Sequence, residues 1–396
     1  MTTQNPTPPA IRVALIGYSF MGRVHAQAWS SAPRFFDIGA PVSLEAVCGR
    51  DAEATGTFAR RFGIPRTFGD WREAVADPDI TVIDICTPGS SHAEIALAAL
   101  AAGKHVLCEK PLANTLQDAA QMRDAAASAA LDGIRSMVGF SYRRTPALAY
   151  ARELVRNGRL GQIRHIRARY LQDWIVDPEF PLVWRLQADA AGSGALGDIG
   201  AHIIDLATFV TGHRLVGVSA LTETFVRTRP LAAESAGLTA DRSEKNAARG
   251  PVTVDDSTVF IGRTDGGALA SFEATRLAPG SKNAMRLEID GSLGSLSFDF
   301  ESLNELLFHD HTLPAAENGF RRILVTEPDH PYAGAWWPAG HGLGYDHLFV
   351  HQAADFARAI AEGIDPEPSF TDGFEVQRVL DAVQNSAADS AAWTQI

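Results

Sequence analysis

Through the first 140 residues, short β-branched runs alternate with alanine-rich stretches, and this alternation restricts the fold more than any other feature of the chain. The runs fall at Ile11–Ile16, Val42–Val47, Ile80–Cys86, His105–Cys108 and Ser136–Val138. Between them, Ala52–Phe62, Ala93–Ala102 and Leu116–Ala130 are rich in good helix formers. Thr115 followed three residues later by Asp118 reads as a capping box for the last of these helices. Strands and helices alternating at this spacing form βαβ units, and βαβ units build a parallel sheet. The near-continuous apolar run from Thr81 to Cys86 suits a sheet covered on both faces. The reading is an α/β fold that begins with a Rossmann dinucleotide-binding domain.

Past Tyr142 the pattern changes. A helix is expected over Ala147–Arg156, stopped by Asn157-Gly158, and an alternating strand over Gln162–Asp173. Ala191-Gly192-Ser193-Gly194 leads into a helix from Leu196 to Thr211, closed by Gly212. Extended runs then follow at 214–228, 252–262, 267–277, 284–290, 294–300 and 304–309, separated by glycine-containing turns. That is the signature of a large open, mostly antiparallel sheet in an α+β domain. Residues 229–250 read as a long polar loop, and 346–362 and 372–392 as helices. The expected domains are 1–141 for the dinucleotide and 142–396 for substrate binding and oligomerisation.

Composition removes several classes of function. With 46% hydrophobic and 21% charged residues over 396 positions, the chain is globular and not disordered. Its net charge of −12 argues against nucleic acid as a partner. Three scattered cysteines make no disulfide framework. With no run of apolar residues long enough for a membrane helix and no export signal, a cytoplasmic protein without membrane contact is expected.

The first strand ends in Gly17-Tyr18-Ser19-Phe20-Met21-Gly22. In a dinucleotide site the first glycine makes the turn, the last lets helix and strand pack, and the helix N-terminus holds the pyrophosphate. Ser19 stands where a middle glycine is usual. The second strand ends in Gly49-Arg50-Asp51, with Gly49 where an acid normally reads the adenosine ribose. Arg50 then either faces a 2′-phosphate, which means NADP, or stacks on adenine while Asp51 reaches the ribose, which means NAD. Lys110 follows a strand that ends at the carboxyl edge of the sheet, and a lysine serves as a base only when its pKa falls from about 10.4 toward 7–8. Asp198 and His202 are four apart on one helix and share a face, with Asp205 coming nearly round to it. No third ligand accompanies that pair, so no metal is expected.

Gly17 to Gly22, Cys86-Thr87-Pro88, the run His92–Cys108, Glu109-Lys110-Pro111 and Gly197-Asp198-Ile199-Gly200-Ala201-His202 together resemble the Gfo/Idh/MocA oxidoreductase family, over nearly the whole chain. Ser19 and Ser90 are the two departures from the family pattern. The resemblance implies hydride transfer between NAD or NADP and a ring hydroxyl of a sugar, anhydrosugar or glycoside, with C3 as the expected position. Thr87, Pro88, His92, Glu109 and Lys110 would join the glycine loop, Gly49 and Arg50 in holding the cofactor. His202 would bind the hydroxyl and relay its proton, Asp198 would orient the substrate, and Lys110 would act as base or proton donor. Tyr142, Arg143, Gln172, Trp174 and Arg185 are further substrate candidates, Gln172 and Trp174 sharing a strand face with Tyr170. Arg185 equally suits a structural salt bridge. Behind Trp336-Trp337, the loop with His341, Tyr345 and His347 caps either a substrate or a subunit contact. The same residues would serve an NAD-dependent glycoside hydrolase working through transient C3 oxidation and elimination. An open sheet leaves a broad apolar face, so a homodimer or homotetramer is expected.

Overall fold

The computed structural model describes residues 9–231 and 248–396, so most of the polar loop expected at 229–250 lies outside the described residues. The chain opens with β1 (Ile11–Ile16), α1 (Phe20–Phe35), β2 (Val42–Cys48), α2 (Ala52–Phe62), β3 (Arg66–Phe68) and α3 (Trp71–Ala76). It continues with β4 (Val82–Ile85), α4 (His92–Ala101), β5 (His105–Cys108), α5 (Leu116–Leu131) and β6 (Ser136–Val138). Next come α6 (Pro146–Arg156), β7 (Ile163–Leu171), a short α7 (Ala188–Ala191), a π-helical turn at Leu196–Gly200 and α8 (Ala201–Thr211). Strands β8 (Leu215–Glu223), β9 (Thr228–Pro230), β10 (Arg249–Pro251), β11 (Ser257–Thr264) and β12 (Leu269–Thr275) follow. Then come β13 (Ala284–Gly291), β14 (Gly294–Asp299), β15 (Glu305–Asp310) and β16 (Arg321–Leu324). The chain closes with α9 (Tyr345–Glu362), α10 (Phe370–Ala388) and β17 (Thr394–Gln395).

The elements divide into two compact units, one of residues up to Ala113 with Gln117–Ser141 and Tyr345–Phe374, the other of Asn114–Leu116, Tyr142–Gly344 and Glu375–Ile396. In the first unit six parallel strands run in the order β3-β2-β1-β4-β5-β6. Val13, Ala14 and Leu15 of β1 and Val82, Ile83 and Ile85 of β4 are 0% exposed, as strands covered on both faces must be. Each such aliphatic side chain contributes about 1.5–3 kcal/mol by leaving water. Order reverses between β1 and β4, and the crevice outside the carboxyl ends of strands at such a switch point is where ligands bind. The segment Tyr345–Phe374 corrects the expectation that everything after residue 141 belongs to the second domain. The reason is apolar: α9 packs on α1 and buries Leu348, Phe349 and Phe356.

The second unit holds a nine-stranded sheet in the order β16-β15-β14-β13-β7-β12-β11-β8-β17. Only β7 and β12 pair in parallel; the other neighbours are antiparallel. Along β11, Thr258, Phe260, Gly262 and Thr264 point to the buried face while Val259, Ile261 and Arg263 point outward. Helix α8 packs against β7 and β13, and α6 against β14 and β15. The opposite face presents Leu221, Val259, Ile261, Leu269 and Leu307 to solvent. The run expected as one strand at 214–228 divides into β8 and β9, with β9 pairing β10 at the two ends of the polar loop. Among the described residues, no helix is long and apolar enough to cross a membrane.

Candidate active site

Gly17 leaves β1 at φ +101°, a backbone open to glycine, and a Cβ there would lie 2.8 Å from the Cys86 carbonyl oxygen. A Cβ on Gly22 would lie 2.3 Å from the Gly17 carbonyl, so the first turn of α1 closes on the strand only without a side chain. Ser19 sits at φ −70°, which any residue adopts, so the departure from a middle glycine introduces no strain. Its side chain makes no cap hydrogen bond, which leaves the first-turn amides of Phe20, Met21 and Gly22 for another acceptor. A tight loop with an uncapped helix N-terminus fits a dinucleotide pyrophosphate.

Around the same strand ends, the Ser91 hydroxyl oxygen lies 2.7 Å from the Thr87 hydroxyl and 2.9 Å from the Pro88 carbonyl. His92 is buried, its ring nitrogens 2.9 Å from the Thr87 carbonyl and 3.0 Å from that of Pro111. Burial holds its pKa below the usual histidine value, against the pull of those carbonyls. The imidazole thus sits between two loops. Glu109 turns inward: its Oε1 lies 3.0 Å from His25 Nε2. Lys110, next in the chain, is half-buried and precedes a cis bond to Pro111. At the end of β2, Asp51 caps α2, one carboxylate oxygen accepting from the amides of Glu53 and Ala54 at 3.0 Å. Arg50 is exposed beside it. The three cysteines are free thiols, and burial pushes Cys48 up to about 11, so it is no nucleophile at neutral pH.

In the second unit Asp198 lies in the π-helical turn and His202 in the first turn of α8. The helix expected over 196–211 is therefore interrupted by wider i→i+5 bonding, with the Ala201 amide donating to the Leu196 carbonyl. Asp255 anchors the entry to that turn, accepting from the Gly194 amide at 2.6 Å and the Leu196 amide at 2.8 Å. The Tyr142 ring stacks on His202, centroids 4.3 Å apart and 14° from parallel, and on Phe300 at 4.5 Å. Asp198 faces Arg276, whose fully buried guanidinium lies 3.4 Å from its Oδ2 and 5.5 Å over the Trp174 ring.

Tyr170, Gln172 and Trp174 form one hydrogen-bonded chain. Trp174 Nε1 donates to Gln172 Oε1 at 3.0 Å, while Gln172 Nε2 and the Tyr170 hydroxyl both donate to Asn283 Oδ1, at 2.9 and 2.6 Å. Tyr142 joins through its hydroxyl, 2.6 Å from that of Tyr170. Other candidates have inward or local partners. Arg143 is buried with its guanidinium on Asp205, at 2.8 and 2.5 Å, and Asp205 is 1% exposed. Arg185 lies over its neighbour Trp184 at 4.3 Å. His341 bonds the Pro338 carbonyl at 2.8 Å, while Tyr345 begins α9 in the first unit and stacks on Phe20. Arg276, Asn283, Asp255 and Phe300 were not singled out from the sequence. Thr275-Arg276 at a strand end offers no local signal beyond its charge.

A parallel sheet with a dinucleotide cradle, joined in sequence to a unit with a buried His–Tyr stack beside an Asp–Arg pair, defines a nicotinamide-dependent oxidoreductase. The family model for an oxidoreductase family with NAD-binding Rossmann fold matches residues 11–134, and the GFO/IDH/MocA C-terminal domain matches 148–297. The chain belongs to the Gfo/Idh/MocA family. It is 42% identical over 388 residues to levoglucosan dehydrogenase of Pseudarthrobacter phenanthrenivorans, covering 98% of each chain. The solved levoglucosan dehydrogenase in complex with NADH and levoglucosan superposes with a TM-score of 0.91 at 41% identity, covering 98% of this chain and 100% of that one. An oxidoreductase domain protein from Kribbella flavida superposes at 0.93 with 58% identity, covering 98% and 99%.

Proposed function

We propose that this protein is an NAD-dependent dehydrogenase oxidising a ring hydroxyl, at C3, of a sugar, anhydrosugar or glycoside. The observation that carries the reading is the pairing of His202, stacked under Tyr142, with an Asp198 whose charge faces the buried Arg276. A carboxylate accepts hydrogen bonds from sugar hydroxyls, and an imidazole beside an aromatic wall suits the edge and face of a pyranose ring. The Gln172–Trp174–Tyr170 chain supplies further polar groups on an apolar wall, the usual construction of a small-molecule site.

In this reading His202 binds the hydroxyl being oxidised, Asp198 orients the ring, and Lys110 takes the proton. Bound nicotinamide supplies the hydride acceptor. Phe20, Met21 and Gly22 hold the pyrophosphate through their amides, with Gly17 shaping the loop. NAD is preferred here because a relative 41% identical over 98% of this chain is solved with NADH. Absorbance at 340 nm with NAD or NADP over a panel of free sugars, anhydrosugars and glycosides tests the proposal, with released aglycone assayed in the same wells. Reduced cofactor growing in step with substrate is the expected result. Aglycone release with flat absorbance would overturn it in favour of redox-assisted hydrolysis.

We also infer a homodimer or homotetramer built on the outer face of the nine-stranded sheet, where Val259 lies beside Leu221 in register. Light scattering at micromolar concentration should give a multiple of the 42.5 kDa chain mass. A monomer mass would refute it.

A further inference from the structure

Behind the carboxyl edge of the parallel sheet lies a buried polar cluster centred on His25, a residue with no part in the chemistry above. His25, on α1, is 1% exposed, and a carboxylate faces each of its ring nitrogens. Nδ1 is 2.9 Å from Asp84 Oδ2, and Nε2 is 3.0 Å from Glu109 Oε1. The Trp29 indole donates to the same Asp84 oxygen at 2.7 Å, the Cys86 thiol approaches Oδ1 at 3.8 Å, and Phe349 of α9 closes over the imidazole at 5.6 Å.

Ionised carboxylates only accept hydrogen bonds, so a ring with one at each nitrogen needs both of its N–H groups. Burial opposes that charge, but the Asp84 carboxylate and its neighbours outweigh it and hold His25 well above the usual histidine value. His25, Asp84 and Cys86 place ligand-type atoms within 4.8 Å of one another. With both imidazole nitrogens on carboxylates and burial pushing the thiol up, the cluster is built to hold a proton.

The two links of His25 join three places in the fold: α1, β4 and the end of β5. Asp84 is on β4, paired beside Leu107 of β5, and Glu109 directly follows β5. Glu109 is further held by its amide to the Ile85 carbonyl at 2.9 Å, and its carboxylate is enclosed so closely that a Cβ on Gly139 would lie 2.6 Å from Oε1. Its next neighbour is Lys110. We propose that His25 is a positioning residue: as a doubly protonated imidazole joining Asp84 to Glu109, it fixes the backbone from which Lys110 projects. The role given to Lys110 rests on the proposed function; the clamp itself does not.

H25A removes both links. D84N preserves the geometry with a neutral ring, since the amide donates to Nδ1, its oxygen accepts from Trp29, and Nε2–H still donates to Glu109. H25Q reaches one carboxylate but not both, and replaces H25A should that chain not fold. Amide hydrogen exchange across Cys108–Ala113 and steady-state kinetics are the two readouts. H25A should speed exchange there about tenfold or more. It should also lower kcat by about 10–100-fold while leaving the KM for sugar within about threefold, the effect of a misplaced rather than missing group. D84N should restore both measurements to within about fivefold of wild type. Unchanged exchange in H25A overturns the clamp whatever the substrate is. Faster exchange with a wild-type kcat overturns the positioning role. A wild-type protein that oxidises no sugar defeats the proposed function, and the exchange result still decides the clamp.

Discussion

A charged side chain inside the parallel sheet of the first unit can only turn inward, whereas one in the open sheet of the second has a wet face available. Asp84, flanked by apolar neighbours on β4, is 0% exposed and meets His25 and Trp29. Arg167 on β7 lies half exposed on the outer face, 2.7 Å from Asp290. In the second unit two buried charge pairs, Arg143 with Asp205 and Arg276 with Asp198, sit off the nine-stranded sheet, while Asp310 is buried at the end of β15. A covered sheet therefore forces each polar residue into a network, and an open sheet lets most of its charges remain incidental. Removing a buried partner strands a charge, while removing an exposed one costs little.

That contrast orders the expected effects. The largest belongs to Lys110, delivered by the covered sheet to its own edge. Lys110→Ala should retain NADH binding by fluorescence titration yet lose about 10²–10⁴-fold in turnover, and a near wild-type rate would break the assignment. Asp205→Ala strands the buried Arg143 guanidinium and should cost about 3–5 kcal/mol in denaturant unfolding. A cost below about 1 kcal/mol would mean that this pair behaves like a surface contact.

Smaller is the pH effect of His25. Because its folded value is raised, its stabilisation is fully present below the ordinary histidine pKa and is lost as pH rises through the raised one. Wild type should therefore lose unfolding midpoint relative to D84N from about pH 6.5 upward, and a gain would reverse the assigned protonation. Smallest is Arg167→Ala, which should change stability by less than about 1 kcal/mol and lose even that effect in high salt.

Periodicity carried most of the fold. Strands β1, β5 and β6 and helix α2 occupy the residues that their patterns mark, because a covered strand or an amphipathic helix is a local property. Three-residue β3 and six-residue α3 are too short to show a period, and β16 and β17 are edge strands whose pairing is supplied by neighbours. Placing α9 with the first unit needed knowledge of α1, hundreds of positions away. Partner choice failed for the same reason. Arg143 finds Asp205 across 62 residues, Arg276 finds Asp198 across 78, and His25 finds Glu109 across 84. One clue was legible: a lone acid in the apolar run Val82-Ile83-Asp84-Ile85 had to have a buried partner.

Gly49 has a consequence for how this chain can change. A Cβ there would meet the Tyr18 ring at 2.1 Å and the Thr55 hydroxyl at 2.5 Å, and Tyr18 itself packs on Phe58 in the core below. An aspartate placed at 49 would collide with both side chains. Position 18 must shrink first, and that step opens a hole beside Phe58. The two positions are thus coupled: a side chain at 49 is accommodated only together with a smaller one at 18.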